Sequence, residues 1–180
     1  MLWFWYFLCY SFLGFLVEVL YVRVKGEPKR DRKCRLFLPI CPVYGLGALA
    51  ILLLPEAVQE NVLLLFPAAA VVCTAVEYAT ALFYQLVFRV TFWDYSHLPM
   101  NLGGRVCLKF SVFWAALALL LLRVIHPLIS GLAAAIPAWA LVPALFLWLA
   151  DTLLTALVLR RTGDTGALRW YVRPPRRSAA

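Results

Sequence analysis

Residues 62–88 read VLLLFPAAAVVCTAVEYATALFYQLVF, and the only charge in that stretch is Glu77. An apolar run of this length exceeds the ~20 residues that carry an α-helix across the hydrocarbon core of a bilayer. Four further runs of the same character lie at 2–22, 37–54, 106–125 and 139–159. The reading is an all-α, polytopic transmembrane helix bundle of about five spans. It forms a single domain over 1–162, followed by a flexible basic tail over 163–180. Composition agrees: 64% of the 180 residues are hydrophobic and 14% charged, against roughly 45–50% and 25% in soluble domains. Five spans with short connections leave no room for a catalytic soluble domain.

The net charge of +8 is a topology signal rather than a nucleic-acid footprint. Arg23 to Arg35 hold one basic cluster, Arg89, Arg105 and Lys109 a second, and Arg160 to Arg177 a third; Arg123 alone falls elsewhere. These are alternate connections, so the rule that Lys and Arg stay on the cytoplasmic side puts the N-terminus outside and the tail inside. A basic rim of this kind also attracts anionic headgroups. The first span has no basic segment before it and is too long for a cleavable signal, so it reads as an uncleaved anchor. Trp3, Trp5, Tyr6 and Tyr10 at its outer end, and Trp170 and Tyr171 in the tail, suit the headgroup level.

Five cysteines (Cys9, Cys34, Cys41, Cys73 and Cys107) form no CxxC pair and no zinc-ligand spacing, which leaves them as small apolar packers and implies no metal or other cofactor. No inverted repeat of the transporter kind is visible.

Carboxylates at membrane depth carry the information. Each costs at least ~2.5–3.5 kcal/mol near a helix centre unless a partner, water or a proton offsets it. Glu18 lies near the inner end of the first span, within reach of Arg23. Glu77 is close to the bilayer centre, and Thr74, Glu77, Ala81 and Tyr84 recur at helical spacing as a polar stripe toward the bundle interior. Asp151 has Thr152 beside it and Thr155 one turn on. For each acid the plain alternative is a carboxyl hydrogen-bonded across the bundle.

The start of the second span, LPICPVYGLG over 38–47, has two prolines and two glycines. It is either a helix broken near its cytoplasmic end and lining something polar, or a helix that begins at Pro42 with Pro39 in the loop. Between the third and fourth spans, FWDYSHLPMNLGGR over 92–105 reads as an ordered loop. There Asp94 caps a turn through Ser96, Gly103 and Gly104 permit positive φ, and Arg105 is placed to pair with Asp94, Glu18 or Glu77. His97 reads as a solvated loop side chain. The candidate binding set is Glu18, Tyr44, Glu77, Trp93, Asp94, Tyr95, Asn101 and Arg105.

Taken together, CYSFLGFLVE over 9–18, LPICPVYGLG over 38–47, Glu77-Tyr78, WDYS over 93–96 and NLGGR over 101–105 resemble the bacterial ABC-transporter type IV, or CmpB-like, integral membrane family, over about Phe4 to Pro127. Gly14-Phe15 stands where that family typically has glycine-tryptophan, and the loop Arg23 to Arg35 is longer and more basic than usual. The resemblance implies a permease component in a bacterial inner membrane and carries no catalytic residues with it. The chain has no GxxxxGK[ST] loop, so any ATP-driven role needs a separate ATPase. No GxSxG or HExxH is present either, and the chain reads as no enzyme.

The expected function is a transporter subunit or permease-like protein with a cytoplasm-facing polar cavity, in a homodimer or hetero-oligomer. The alternative is a membrane scaffold in which the polar network is structural while the basic rim, with Trp93 and Tyr95, binds anionic lipid headgroups. A lipid-modifying enzyme using Asp94 or Glu77 would need a nucleophile–base pair that the sequence lacks.

Overall fold

In hydrocarbon no water pairs with exposed backbone N–H and C=O groups, so long apolar runs close those bonds internally as helices. The computed structural model describes residues 1–25 and 34–171. Basic residues of the first loop at 29–33 and of the tail at 173–177 lie outside that range. Helix α1 (Leu2–Val24) is followed by α2 (Pro42–Leu52), the short α3 (Glu56–Glu60) and α4 (Val62–Phe83), which runs on through a π-helical turn to Phe88. After a loop come α5 (Leu108–Leu120), a second π turn at Leu121–Ile125 and α6 (His126–Ala135), together one rod over Leu108–Ala135. Helix α7 (Leu141–Thr162) completes the bundle. Four of these units, Leu2–Val24, Val62–Phe88, Leu108–Ala135 and Ala138–Thr162, are long and apolar enough to cross a membrane. Arg23, Lys25, Arg89, Lys109, Arg160 and Arg161 cluster at one end, called here the basic end. At the other, Arg123 donates from Nη2 to the carbonyls of Gln59 and Glu60, at 3.3 and 2.7 Å, and so caps α3.

The second span takes the second of its two sequence readings, a helix that opens at Pro42. Its helix has only 11 residues and begins at Pro42, not at Phe37. Residues 34–41 are irregular, with bends at 35–38, and pack against α1 and α7. Their backbone is paired from outside: Leu36 N–H donates to Thr155 Oγ1 at 3.0 Å, Phe37 N–H to Asp151 Oδ1 at 2.7 Å, and Cys41 N–H to the Ser11 carbonyl at 2.8 Å. Pro39 and Pro42 have no N–H to satisfy. The two prolines thus remove donors where helical pairing is impossible, and α7 supplies acceptors for two of the N–H groups that remain.

The fourth span is also longer than its hydropathy suggests, continuing through His126-Pro127 to Ala135. The widened π turn ahead of Pro127 interrupts the i→i−4 ladder, and the proline then falls in the first turn of α6, where it is accepted. The tail segment up to Tyr171 is docked rather than flexible. Gly163, at φ 62°, turns the chain, a 3₁₀ turn over Thr165–Leu168 follows, and Leu168 is fully buried against Val90 and Leu159.

Small residues set the packing. Ala69, Cys73, Ala115 and Ala118, with Ile51 and Leu65, form the core where α2, α4 and α5 meet, a composition that brings helix backbones close in lipid. Helices α1 and α2 approach still closer. A Cβ on Gly14 would overlap the Tyr44 ring, and one on Gly45 would overlap Ser11 Oγ and lie 2.7 Å from the Phe7 carbonyl.

Candidate functional site

Glu77, 3% exposed, faces inward from the middle of α4, as the stripe predicts. Its Oε1 accepts from the Tyr95 hydroxyl at 3.0 Å and its Oε2 from the Trp114 indole N–H at 2.9 Å. The Trp114 ring meets Tyr44 edge-on, with centroids 4.8 Å apart, and the Tyr44 hydroxyl donates to Glu18 Oε1 at 2.8 Å. The two acids of α1 and α4 are therefore joined through the aromatic side chains of α2, α5 and the 89–107 loop. Glycine at position 14, one turn before Glu18 on the same face of α1, lets the Tyr44 ring lie on the α1 backbone and reach the carboxylate. Between these groups lies a cavity of about 70 Å³ lined by Glu18, Tyr44, Glu77, Trp93, Tyr95 and Trp114, with Thr165 and Arg169 from the docked tail. That volume suits a few waters or a solute of similar size.

The loop places its residues by alternation. Trp93 and Tyr95 turn toward the cavity, and Asp94 between them is exposed, as successive side chains of extended backbone require. Tyr95 stacks on Phe110 with centroids 4.6 Å apart. Ser96 donates to Asp94 twice, from its N–H at 2.8 Å and its hydroxyl at 3.0 Å. The backbone bond above all holds the Asp94 carboxyl below the ordinary carboxylate range. Asn101 closes the turn, donating to the Leu98 carbonyl at 2.7 Å and accepting from Gly104 N–H at 3.0 Å. Gly103 and Gly104 take φ of 58° and 70° between two antiparallel pairs, Asn101–Leu102 (β1) and Val106–Cys107 (β2). These placements match the sequence reading of an ordered, Asp-capped, Gly-turned loop.

Arg105 does not do what its position suggested. It donates from Nε to Gln85 Oε1 at 2.8 Å and lies over the Tyr78 ring at 5.4 Å, not against Asp94, Glu18 or Glu77. Tyr78 and Gln85, two turns apart, form a face of α4 that a helix of 3.6 residues per turn rotates about 100° from Glu77. The Trp93 indole fixes the loop in that position by donating to the Arg105 carbonyl at 2.8 Å. Of the eight candidates, then, Glu18, Tyr44, Glu77, Trp93 and Tyr95 come together. Asp94, Asn101 and Arg105 shape the loop that seats two of them.

Two residues escaped the sequence reading. Trp114 could have been found, because an indole N–H in mid-span needs an acceptor. Arg35 could not: it belongs to the basic loop by sequence, yet it is 7% exposed and its Nη1 donates to Thr152 Oγ1 on α7.

Fold and site together define an all-α integral membrane protein whose buried carboxylates are gathered between helices and sealed by an inter-helix loop. The chain belongs to the family described as Putative ABC-transporter type IV, whose family model matches residues 5–157. The match spans every long helix except the first residues of α1 and the last of α7. No curated protein and no solved structure matches the chain.

Proposed function

We propose that the chain is the membrane-spanning, non-enzymatic subunit of a transporter, working with a separate ATPase and as part of a homodimer or hetero-oligomer. One observation carries the reading: Glu18 and Glu77, two costly groups on separate helices, line one small cavity. In this reading the cavity communicates with the cytoplasm and the N-terminus lies outside a bacterial inner membrane. The distribution of Lys and Arg, all on alternate connections except Arg123, supports that orientation. In a narrower form, Glu77 exchanges a proton during transport. Purification of the chain at native abundance tests the first part, an ATPase in the complex being the expected outcome. Glu77→Gln, folded and assembled, should then abolish transport; transport retained across pH removes the proton role.

A second reading is a membrane scaffold whose basic rim binds anionic headgroups. It is favoured by the way Tyr95 and Trp114 occupy both oxygens of Glu77, as a structural clasp would. Tyr95, buried on Glu77, has no part in headgroup contact here. This reading expects activity to disappear when the Arg23 to Arg35 cluster is neutralised, while Glu77→Gln lowers stability alone.

A further inference from the structure

A second cavity lies on the other side of α2 and is nearly all apolar. It is an open groove of about 790 Å³ walled by Phe4 and Phe7 of α1, Leu46 of α2, Val76 and Phe83 of α4 and Trp148 of α7, and among the described residues its only charged lining residue is Arg35. Arg35 is more than nine-tenths buried, with its guanidinium 5.8 Å from the centroid of the Trp148 ring. Nη1 is held by Thr152, whereas Nε is buried without a hydrogen-bond partner. Asp151, the nearest acid along α7, gives one oxygen to Phe37 N–H and leaves the other unbonded. It lies in no ion pair with Arg35 among the described residues. A buried cation is costly unless an anion answers it, and a guanidinium whose Nε–H has no acceptor suits the oxygen of an acid.

Depth narrows the anion. Thr152 is ten residues before the end of α7 at Thr162, about 15 Å along the helix axis, so Arg35 sits near the middle of the span. A phosphodiester headgroup stays ionised and is held at the interface. A carboxylic acid can enter the hydrocarbon in its neutral form and ionise on meeting the arginine. We propose that this groove is a binding site for a long-chain carboxylic acid, the acid group on Arg35 and the aliphatic chain between α1, α2, α4 and α7. The site shares no residue with the Glu18–Glu77 cavity and does not depend on the transport reading.

The test uses the purified full chain in vesicles of zwitterionic lipid. Palmitic acid brominated near its carboxyl end is the probe, and quenching of tryptophan fluorescence, to which Trp148 and Trp3 in the groove contribute, is the signal. Saturable quenching is expected. It should weaken about tenfold or more in Arg35→Gln, in line with loss of a charge-assisted hydrogen bond, and for the brominated methyl ester. It should also fall in Leu46→Trp, which fills the groove while leaving Thr152 and Trp148 around the guanidinium, so the proposal stays testable if Arg35→Gln does not fold. Equal binding of acid and methyl ester, unchanged binding in a folded Arg35→Gln or in Leu46→Trp, or equal displacement by phosphatidylglycerol overturns it.

Discussion

Two carboxylates in this protein are equally buried and lie equally far before the C-terminal ends of their helical rods, at Phe88 and Thr162, yet they are treated in opposite ways. Glu77 and Asp151 are each 3% exposed. Glu77 is answered by side chains, a hydroxyl and an indole that come from a loop and a neighbouring helix and border a cavity. Asp151 is answered by the main chain, taking the N–H of Phe37 while Thr155 one turn on takes that of Leu36. Side-chain partners can rotate away and let the acid change company. Backbone partners cannot, because the chain that bears them has no other way to be satisfied in lipid. Asp151 is thus an anchor for residues 34–41, whereas Glu77 is held by side chains that border the cavity.

The sharpest way to break that contrast is the double variant Asp151→Ala/Thr155→Ala. It removes the acceptors of the part-buried Leu36 and Phe37 N–H groups, at up to about 1–3 kcal/mol each, and should release residues 34–41, seen as loss of the folded peak in detergent size-exclusion thermal melts. Asp151→Asn keeps an acceptor and should melt close to the parent. Next comes Gly14→Ala, whose methyl overlaps the Tyr44 ring. Overpacking of this kind costs about 1–3 kcal/mol, and the displaced hydroxyl should leave Glu18, which a structure of the variant would reveal. Glu77→Gln replaces one acceptor oxygen by an amide and should cost about 1 kcal/mol in the same melts, far less than the Asp151/Thr155 pair. If it unfolds the protein as completely, Glu77 is an anchor too. Tyr95→Phe removes a single inter-element hydrogen bond, about 0.6 kcal/mol by membrane-protein standards. Smallest is Asp94→Asn. Because Ser96 depresses its pKa, the stabilisation from Asp94 is present above the ordinary carboxylate pKa and fades as pH falls through the depressed value. The variant should therefore melt slightly below the parent at neutral pH and converge with it on acidification.

Much of this was readable in the residues, for reasons that differ element by element. Glu77 announces itself because an acid in a long apolar run has a cost that only an interior position can offset. The 92–105 loop is legible because its bonds are local: Asp94 to Ser96, Asn101 to Leu98 and Gly104. The start of α2 at Pro42 was legible as one of two alternatives, but the seating of the residues before it was not. What holds Leu36 and Phe37 is a pair of acceptors 119 and 114 residues further along the chain. Arg35 was hidden for the same reason. Its charge places it in a solvated loop, and only the seating of that loop on α7 buries it. Arg105 failed in the reverse direction, its reach toward the acids being plausible by distance along the chain but lost to the rotation of α4.

The pairing of residues 34–41 with α7 also imposes an order of assembly. Leu36 and Phe37 leave the ribosome well before Asp151 and Thr155 exist, and synthesis at ~5–20 residues per second leaves an interval on the order of ten seconds. During that wait the N–H groups of Leu36 and Phe37 lack these acceptors, so the segment cannot take its final place while the chain is still being made. Its seating on α7 must come last, after the final helix has formed. A chain cut short before Asp151 would therefore fail near its beginning, at α2, as well as at its missing end.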